Sequence, residues 1–281
     1  MTQRIRTAIL QVYQSKTAFI GFLLIVALFL AGALAPILVS HDPLEMHYTK
    51  RLAPPGKESL LGTDQFGRDL LSRILWGARR ALLISLAVVI LGLIMGIPAG
   101  ALPGYYGGIF DNLAMRFIDA WLAFPGILFF LALLAALGPG LSTLILALSV
   151  GSVPSTARLV RGLVLAEKEK EYIEAARAIG ERDSFILFRQ ILPNIISPII
   201  VMATVSLGNV VLIASALSFL GLGELPPAPS WGLMLSEARN FIETSPLLAI
   251  IPGTAISLSV LGFNLFGDGL RDLLDPRLSE E

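Results

Sequence analysis

Few residue types able to do covalent chemistry are present, and they stand apart. There is no cysteine, which excludes disulfides, thiolate metal sites and cysteine nucleophiles. Two histidines, His41 and His47, share the stretch HDPLEMH, too few for a histidine-rich metal centre. No metal site and no catalytic residue is expected. The one Gly-Lys pair, in PPGKES, lacks the preceding glycine and the following Ser/Thr of a phosphate-binding loop. Long apolar runs contain no Asp, Glu, Lys, Arg or His in their interiors; Asp119 and Arg158 are read as sitting at run edges. Proton- and ion-coupled carriers keep such groups at mid-membrane, so this class is disfavoured. An intramembrane hydrolase is disfavoured for the same lack of acids and bases. Any uphill work must draw its energy from a partner. The mild polar groups inside runs are Asn209, in VSLGNVVLI, and Asn264, in GFNLFG. They offer either interhelical hydrogen bonds or a polar translocation path.

The elements that hold these residues are membrane helices. The 281 residues are 55% hydrophobic and 15% charged, with 21 basic and 21 acidic side chains. Mean hydropathy is +0.76. A soluble domain carries about 25% charged residues. The balanced charge gives no case for nucleic acid. Charge-free runs cover 17–40, 81–110, 120–157, 190–223 and 244–267. A helical crossing takes about 20 apolar residues, so the run 120–157 holds two, parted at LGPG. Six helices are expected, at about 18–39, 81–102, 118–137, 141–160, 195–217 and 247–267. The first follows basic residues and contains AGALA, with a candidate cleavage site at Ala33–Ala35, but it is longer than the apolar part of a signal peptide, and Pro36 hinders cleavage there. It is read as an uncleaved anchor. Gly92, Gly96 and Gly100 leave one face of the second helix without side chains, for close approach of another helix.

Lysine and arginine set the orientation. With the N-terminus inside, the inner segments hold 13 of them and the outer segments 8. Both termini are therefore expected in the cytoplasm, against the weight of seven basic residues in the first outer loop. That loop contains LLGTDQFGRDLLSRILWGARRAL. Thr63 or Asp64 can cap a helix with Leu70, Leu71, Ile74, Leu75 and Ala78 on one face and Asp69, Ser72, Arg73 and Arg79 opposite. An amphipathic helix at the interface is expected, with Trp76, Arg79 and Arg80 at headgroup level. It serves either as a plain anchor or as a surface for a docking partner. The chain is divided into 1–80, the first helix and outer loop, and 81–281, the transmembrane core.

The stretch EYIEAARAIGERDSFILFRQILPN packs seven charges between apolar runs. Tyr172, Ala175, Ala176 and Ile179 share one side of a helix, and Glu171 and Glu174 the other. Lys170 and Glu174 form an i,i+4 pair. Gly180 is a left-handed stop, and Asp183 or Ser184 caps a second helix carrying Phe185, Ile186, Phe188 and Leu192 before Pro193. The face of alanines suits a helix seated closely in a partner's groove; the alternative is a helix resting on lipid.

These residues resemble the inner-membrane permeases of binding-protein-dependent ABC importers. Glu174, Ala175, Ala176 and Gly180, with Leu192 and Pro193 downstream, match that family's cytoplasmic EAA loop. Gln190 departs from it, standing where isoleucine is preferred. LGTDQFGRDLLSR, FPGILFFLAL, LSFLGLGELPPAPSWGLML and GDGLRDLLDPRL are similar to the dipeptide/oligopeptide/nickel permeases, and to the type with the N-terminal LGTD segment.

The resemblance implies an all-α membrane fold, one N-terminal helix plus a five-helix core with a cytoplasmic coupling helix. It implies a bacterial or archaeal inner-membrane location. A second permease would share the pathway, two cytoplasmic ATPases would use ATP and Mg, and an extracytoplasmic binding protein would deliver the solute. No cofactor would be bound by this chain. Glu174 would make a polar contact to the ATPase, Ala175 and Ala176 the close-packed face, and Gly180 the turn. Di- or oligopeptides are the expected cargo, with nickel or metal chelates, glutathione and opines as alternatives. A channel without an ATPase is the competing class.

Overall fold

The computed structural model describes residues 16–39 and 41–274, and nearly all of its regular structure is helical. Helix α1 spans Lys16–Leu38, and its 23 residues reach about 35 Å, enough to cross a hydrocarbon core of about 30 Å. α2 is Leu70–Tyr106, α3 Gly108–Leu122, α4 Gly126–Leu137 and α5 Leu141–Lys168. The segment 169–195 holds α6, Glu171–Ala178, and a helical stretch α7 made of Asp183–Phe185, a π-helical turn Ile186–Ile191, and Leu192–Asn194. α8 is Ile196–Phe219, α9 Trp231–Ala238 and α10 Leu247–Leu274.

Five helices are long and apolar enough to span, and α3 with α4, bent by 84°, makes either a sixth, broken span or a re-entrant loop. The straight helix expected over 118–137 is therefore two helices. Pro125 is the N-cap of α4, with extended backbone, and no regular turn continues through it.

The outer-loop helix also differs from expectation. Asp69, not Thr63 or Asp64, is the N-cap: its carboxylate accepts from the Ser72 amide at 2.8 Å. The residues read as an interfacial helix are the first turns of α2, which runs unbroken into the span. Leu70 and Ala78 are buried, but so are Ser72 and Arg73 on the face expected to be polar.

The glycine face of α2 packs within this chain, against α5. A methyl at Gly96 would lie 2.6 Å from Thr156, and one at Gly100 would lie 2.1 Å from the Ala157 carbonyl oxygen. Side chains there would force the helices apart. α1 lies against α10, where a methyl at Gly21 would lie 2.5 Å from the Phe266 nitrogen. Three apolar clusters fill the interior. One lies at the outer-loop end around Leu82, Trp231 and Phe263, one in mid-bundle around Val88, Leu144 and Leu217, and one at the opposite end around Val160, Ile173 and Ile186. Less than half of each span's apolar window is buried inside the chain. The remaining apolar surface calls for lipid or a partner subunit.

Candidate functional site

The segment 169–195 is fastened to three spans. Ile173 and Ala176 of α6 point into the same apolar cluster as Val160, Val164 and Tyr105. The Tyr172 hydroxyl donates to Glu167 Oε1 at the end of α5 (2.7 Å) and accepts from Asn194 Nδ2 before α8 (3.0 Å). Partial burial, helped by the Glu167 carboxylate, raises the Tyr172 hydroxyl above its ordinary pKa. Tyr105, at the end of α2, donates to Asp183 Oδ1 at 2.7 Å, and the Arg177 guanidinium lies 5.6 Å from the Tyr105 ring centre.

The sequence-predicted site residues divide accordingly. Glu174 and Ala175 are exposed, as is Ile179 at 78%. Ala176 is buried in this chain's own core, so it is a support for α6 rather than part of an outward face. The face read as continuous across Tyr172, Ala175, Ala176 and Ile179 is thus split, because Ile173 takes the inward position and rotates the helix. Gly180 ends α6 with φ +82°; its N–H donates to the Arg177 carbonyl and the Glu181 N–H to the Ala176 carbonyl. This pair of bonds is a Schellman cap, and the left-handed backbone explains the glycine. Leu192 is half-buried beside the cluster and Pro193 is exposed. The Leu192 N–H bonds back to the Leu187 carbonyl, five residues earlier. This wider turn ends just before Pro193, whose ring and missing N–H do not fit a regular helix interior. Gln190 donates to Glu181, tying α7 to the α6 turn.

Asn209 is exposed on α8 and Asn264 is half-buried on α10. Neither side chain has a hydrogen-bond partner among the described residues. The interhelical bond offered as one reading is therefore not made among the described residues.

At the other end, the loop 41–69 and α9 lock together through charges whose pairing sequence reasoning missed. Arg68 and Arg73 are 1% and 0% exposed. Arg68 Nε donates to Asp64 Oδ2 at 2.5 Å and Arg68 Nη2 to Glu237 Oε2 at 2.7 Å; Arg73 Nη2 reaches the same Glu237 oxygen at 3.3 Å. Arg80 pairs with the buried Glu224. The Trp231 indole donates to the Ile74 carbonyl at 3.0 Å and lies where a side chain at Gly77 would stand. Gly67 has φ +75°, and a methyl on it would meet the His47 carbonyl oxygen at 1.9 Å. LGTDQFGRDLLSR and PSWGLML, far apart in sequence, are two halves of one contact. Arg79 remains exposed, 5.4 Å from the Trp76 ring centre, beside a cavity of about 620 Å³ lined by both residues with Pro36 and Leu83.

Residues 89–280 match the family described as the binding-protein-dependent transport system inner membrane component. The chain belongs to this family of transport permeases. Residues 4–55 of the permease match the N-terminal transmembrane domain of oligopeptide transport permease C. It is 44% identical to a dipeptide transport system permease protein of Alkalihalophilus pseudofirmus, over 97% of this chain and 90% of that one. It is 43% identical to a di/tripeptide permease of Pseudomonas aeruginosa, over 94% and 89%. A glutathione permease of Pectobacterium atrosepticum is 47% identical over 80% and 74%. A solved methionine ABC transporter, MetNI, shares the fold, with a TM-score of 0.60 at 21% identity over 72% of this chain and 97% of that one. The all-α membrane architecture and the reading as an ABC importer permease both stand. The permease is a multi-pass membrane protein that works with other subunits.

Proposed function

We propose that this permease carries peptides inward, pairing with a second permease and driven by two separate cytoplasmic ATPases through α6. The observation that carries the reading is the division of α6. Its inner side is anchored to α2, α5 and α8, while Glu174, Ala175 and Ile179 face outward. An exposed isoleucine beside an alanine and carboxylates suits a close, partly charged protein contact. On this reading the segment 169–195 and both termini lie in the cytoplasm of a bacterial or archaeal cell. The outer loop, locked to α9, faces the binding protein. Residues 1–80 supply the added anchor and that outer platform, and 81–281 the core that pairs with the second permease. ATP and Mg belong to the ATPases. The permeases named for dipeptides and di/tripeptides cover more of this chain than the glutathione permease does. Peptide cargo is therefore placed ahead of glutathione.

The test uses the complete importer in proteoliposomes. Ala175→Arg or Ile179→Asp is expected to lower ATP hydrolysis stimulated by loaded binding protein about tenfold, a typical effect of losing one or two anchor contacts. The permease pair should still insert and co-purify. Full stimulation with both variants would remove α6 as the docking face. Uptake of radiolabelled dipeptide against glutathione by the wild-type importer decides the cargo.

A further inference from the structure

Two ion pairs join α3 to α5, and they differ in kind. Arg161 donates through Nε and Nη2 to the two oxygens of Asp111, both at 2.6 Å, and the Asp111 side chain is only 9% exposed. That bidentate pair fastens one helix to the other. Arg158 and Asp119 also bond, yet their side chains are 55% and 61% exposed. Asp119 stands in the last turn of α3, but Arg158 is ten residues from the end of α5. Ser152 abuts Gly92, near the middle of the apolar stretch 81–102. Arg158 lies six residues further along α5, about 9 Å from that level and inside a hydrocarbon half-thickness of about 15 Å.

An open ion pair at that depth is unfavourable against lipid. The surface beside it carries a polar stripe on each helix, flanked by exposed Leu159 on α5. On α5 the exposed positions Ser155, Arg158 and Gly162 recur at helical spacing, and a side chain at Gly162 would meet nothing within 4 Å. On α3, Asn112, Arg116 and Asp119 recur likewise, all exposed. Large apolar groups such as Leu113 and Phe117 occupy other positions of α3. The Asp119–Arg158 pair joins the two polar stripes.

We infer that these facing stripes of α3 and α5 are this chain's wall of the translocation path, and that Asp119 and Arg158 receive the ammonium and carboxylate ends of a zwitterionic peptide. Charge complementarity argues for this occupant. A zwitterion presents one group of each sign, so it replaces both members of the pair without leaving either charge alone in a low-dielectric site. A lipid tail supplies neither charge. The inference rests on the peptide reading above and adds the residues that meet the cargo.

Because the chain has no cysteine, a single one introduced into it can be followed by mass. The complete importer carrying Ser155→Cys is reconstituted in proteoliposomes and treated with a charged, membrane-impermeant thiosulfonate or a lipid-soluble maleimide. Reaction with the charged reagent, slowed several-fold during ATP-driven dipeptide transport, is expected. Reaction with the maleimide alone marks a lipid face, and no reaction marks an interface with the second permease; either result overturns the inference. Asp119→Asn and Arg158→Gln are each expected to lower dipeptide taken up per ATP hydrolysed about tenfold, as loss of one charge-assisted contact does. A merely structural pair would change the yield of assembled importer and leave that ratio intact. If the unsubstituted importer moves no dipeptide at all, the peptide reading itself has failed, which is a separate outcome.

Discussion

Glu237 shows what a single side chain holds in this permease. One of its oxygens accepts from both Arg68 and Arg73, which are almost wholly buried. Arg73 also keeps Nε and Nη1 without hydrogen-bond partners. Removing an acceptor from such a cluster leaves buried positive charge, at a cost of about 3–5 kcal/mol. Glu237→Ala is therefore expected to lower the thermal midpoint of the detergent-purified importer markedly, with Glu237→Gln intermediate; a midpoint unchanged in both variants would contradict it. At Gly180 the demand is on backbone alone, since a side chain there meets nothing within 4 Å. Gly180→Asn, which tolerates left-handed φ, should keep near-normal coupling, and Gly180→Val should lose more, read as stimulated ATP hydrolysis. The sequence revealed the charge of Asp64, Arg68 and Arg73 but not their burial. Glu237 lies more than 160 residues from Arg68, and no local periodicity connects them.

Helices were the most legible feature of the sequence, because an apolar run in lipid has to satisfy its own backbone. The break between α3 and α4 was not seen, although Pro125–Gly126 is a turn signal inside the run. A charge-free stretch carries no information on direction, and a bend is set by what the two halves pack on. The α6 register was missed for a similar reason. Tyr172, Ala175, Ala176 and Ile179 satisfy helical spacing equally well in either rotation. Only Ile173, drawn into the cluster with Val160 and Ile186, decides between them. This separates two substitutions that look alike in sequence. Ala176→Trp should destabilise the coupling segment itself and reduce folded permease, whereas Ala175→Trp should leave the fold intact and block ATPase association; size-exclusion profiles and co-purification check the two outcomes. On α2, Gly100→Leu should disrupt contact with α5, where even a methyl meets the Ala157 carbonyl oxygen at 2.1 Å, while Gly162→Ala on α5 should fold normally.

The whole chain has two dissimilar ends. One is a closed platform of the loop 41–69 and α9, the other the segment 169–195 with the exposed face of α6. The absence of cysteine makes their placement testable in intact cells. A cysteine at Lys57 should react with an impermeant reagent added outside, and one at Glu174 only after permeabilisation; the reverse pattern would invert the topology. α2 is the element that belongs to both ends. Its first turns are held by Arg73 and Trp231 and its last by Tyr105 and Asp183, and both sets of turns belong to one helix of 37 residues. That is a continuous helix about 55 Å long, with Pro98 and Pro103 toward its Tyr105 end. Pivoted near its middle by about 5°, its ends would swing by about 2.5 Å in opposite directions. A displacement of that size is comparable to a hydrogen-bond length, so a small tilt imposed at Tyr105 is geometrically enough to make or break contacts at the far mouth of the molecule.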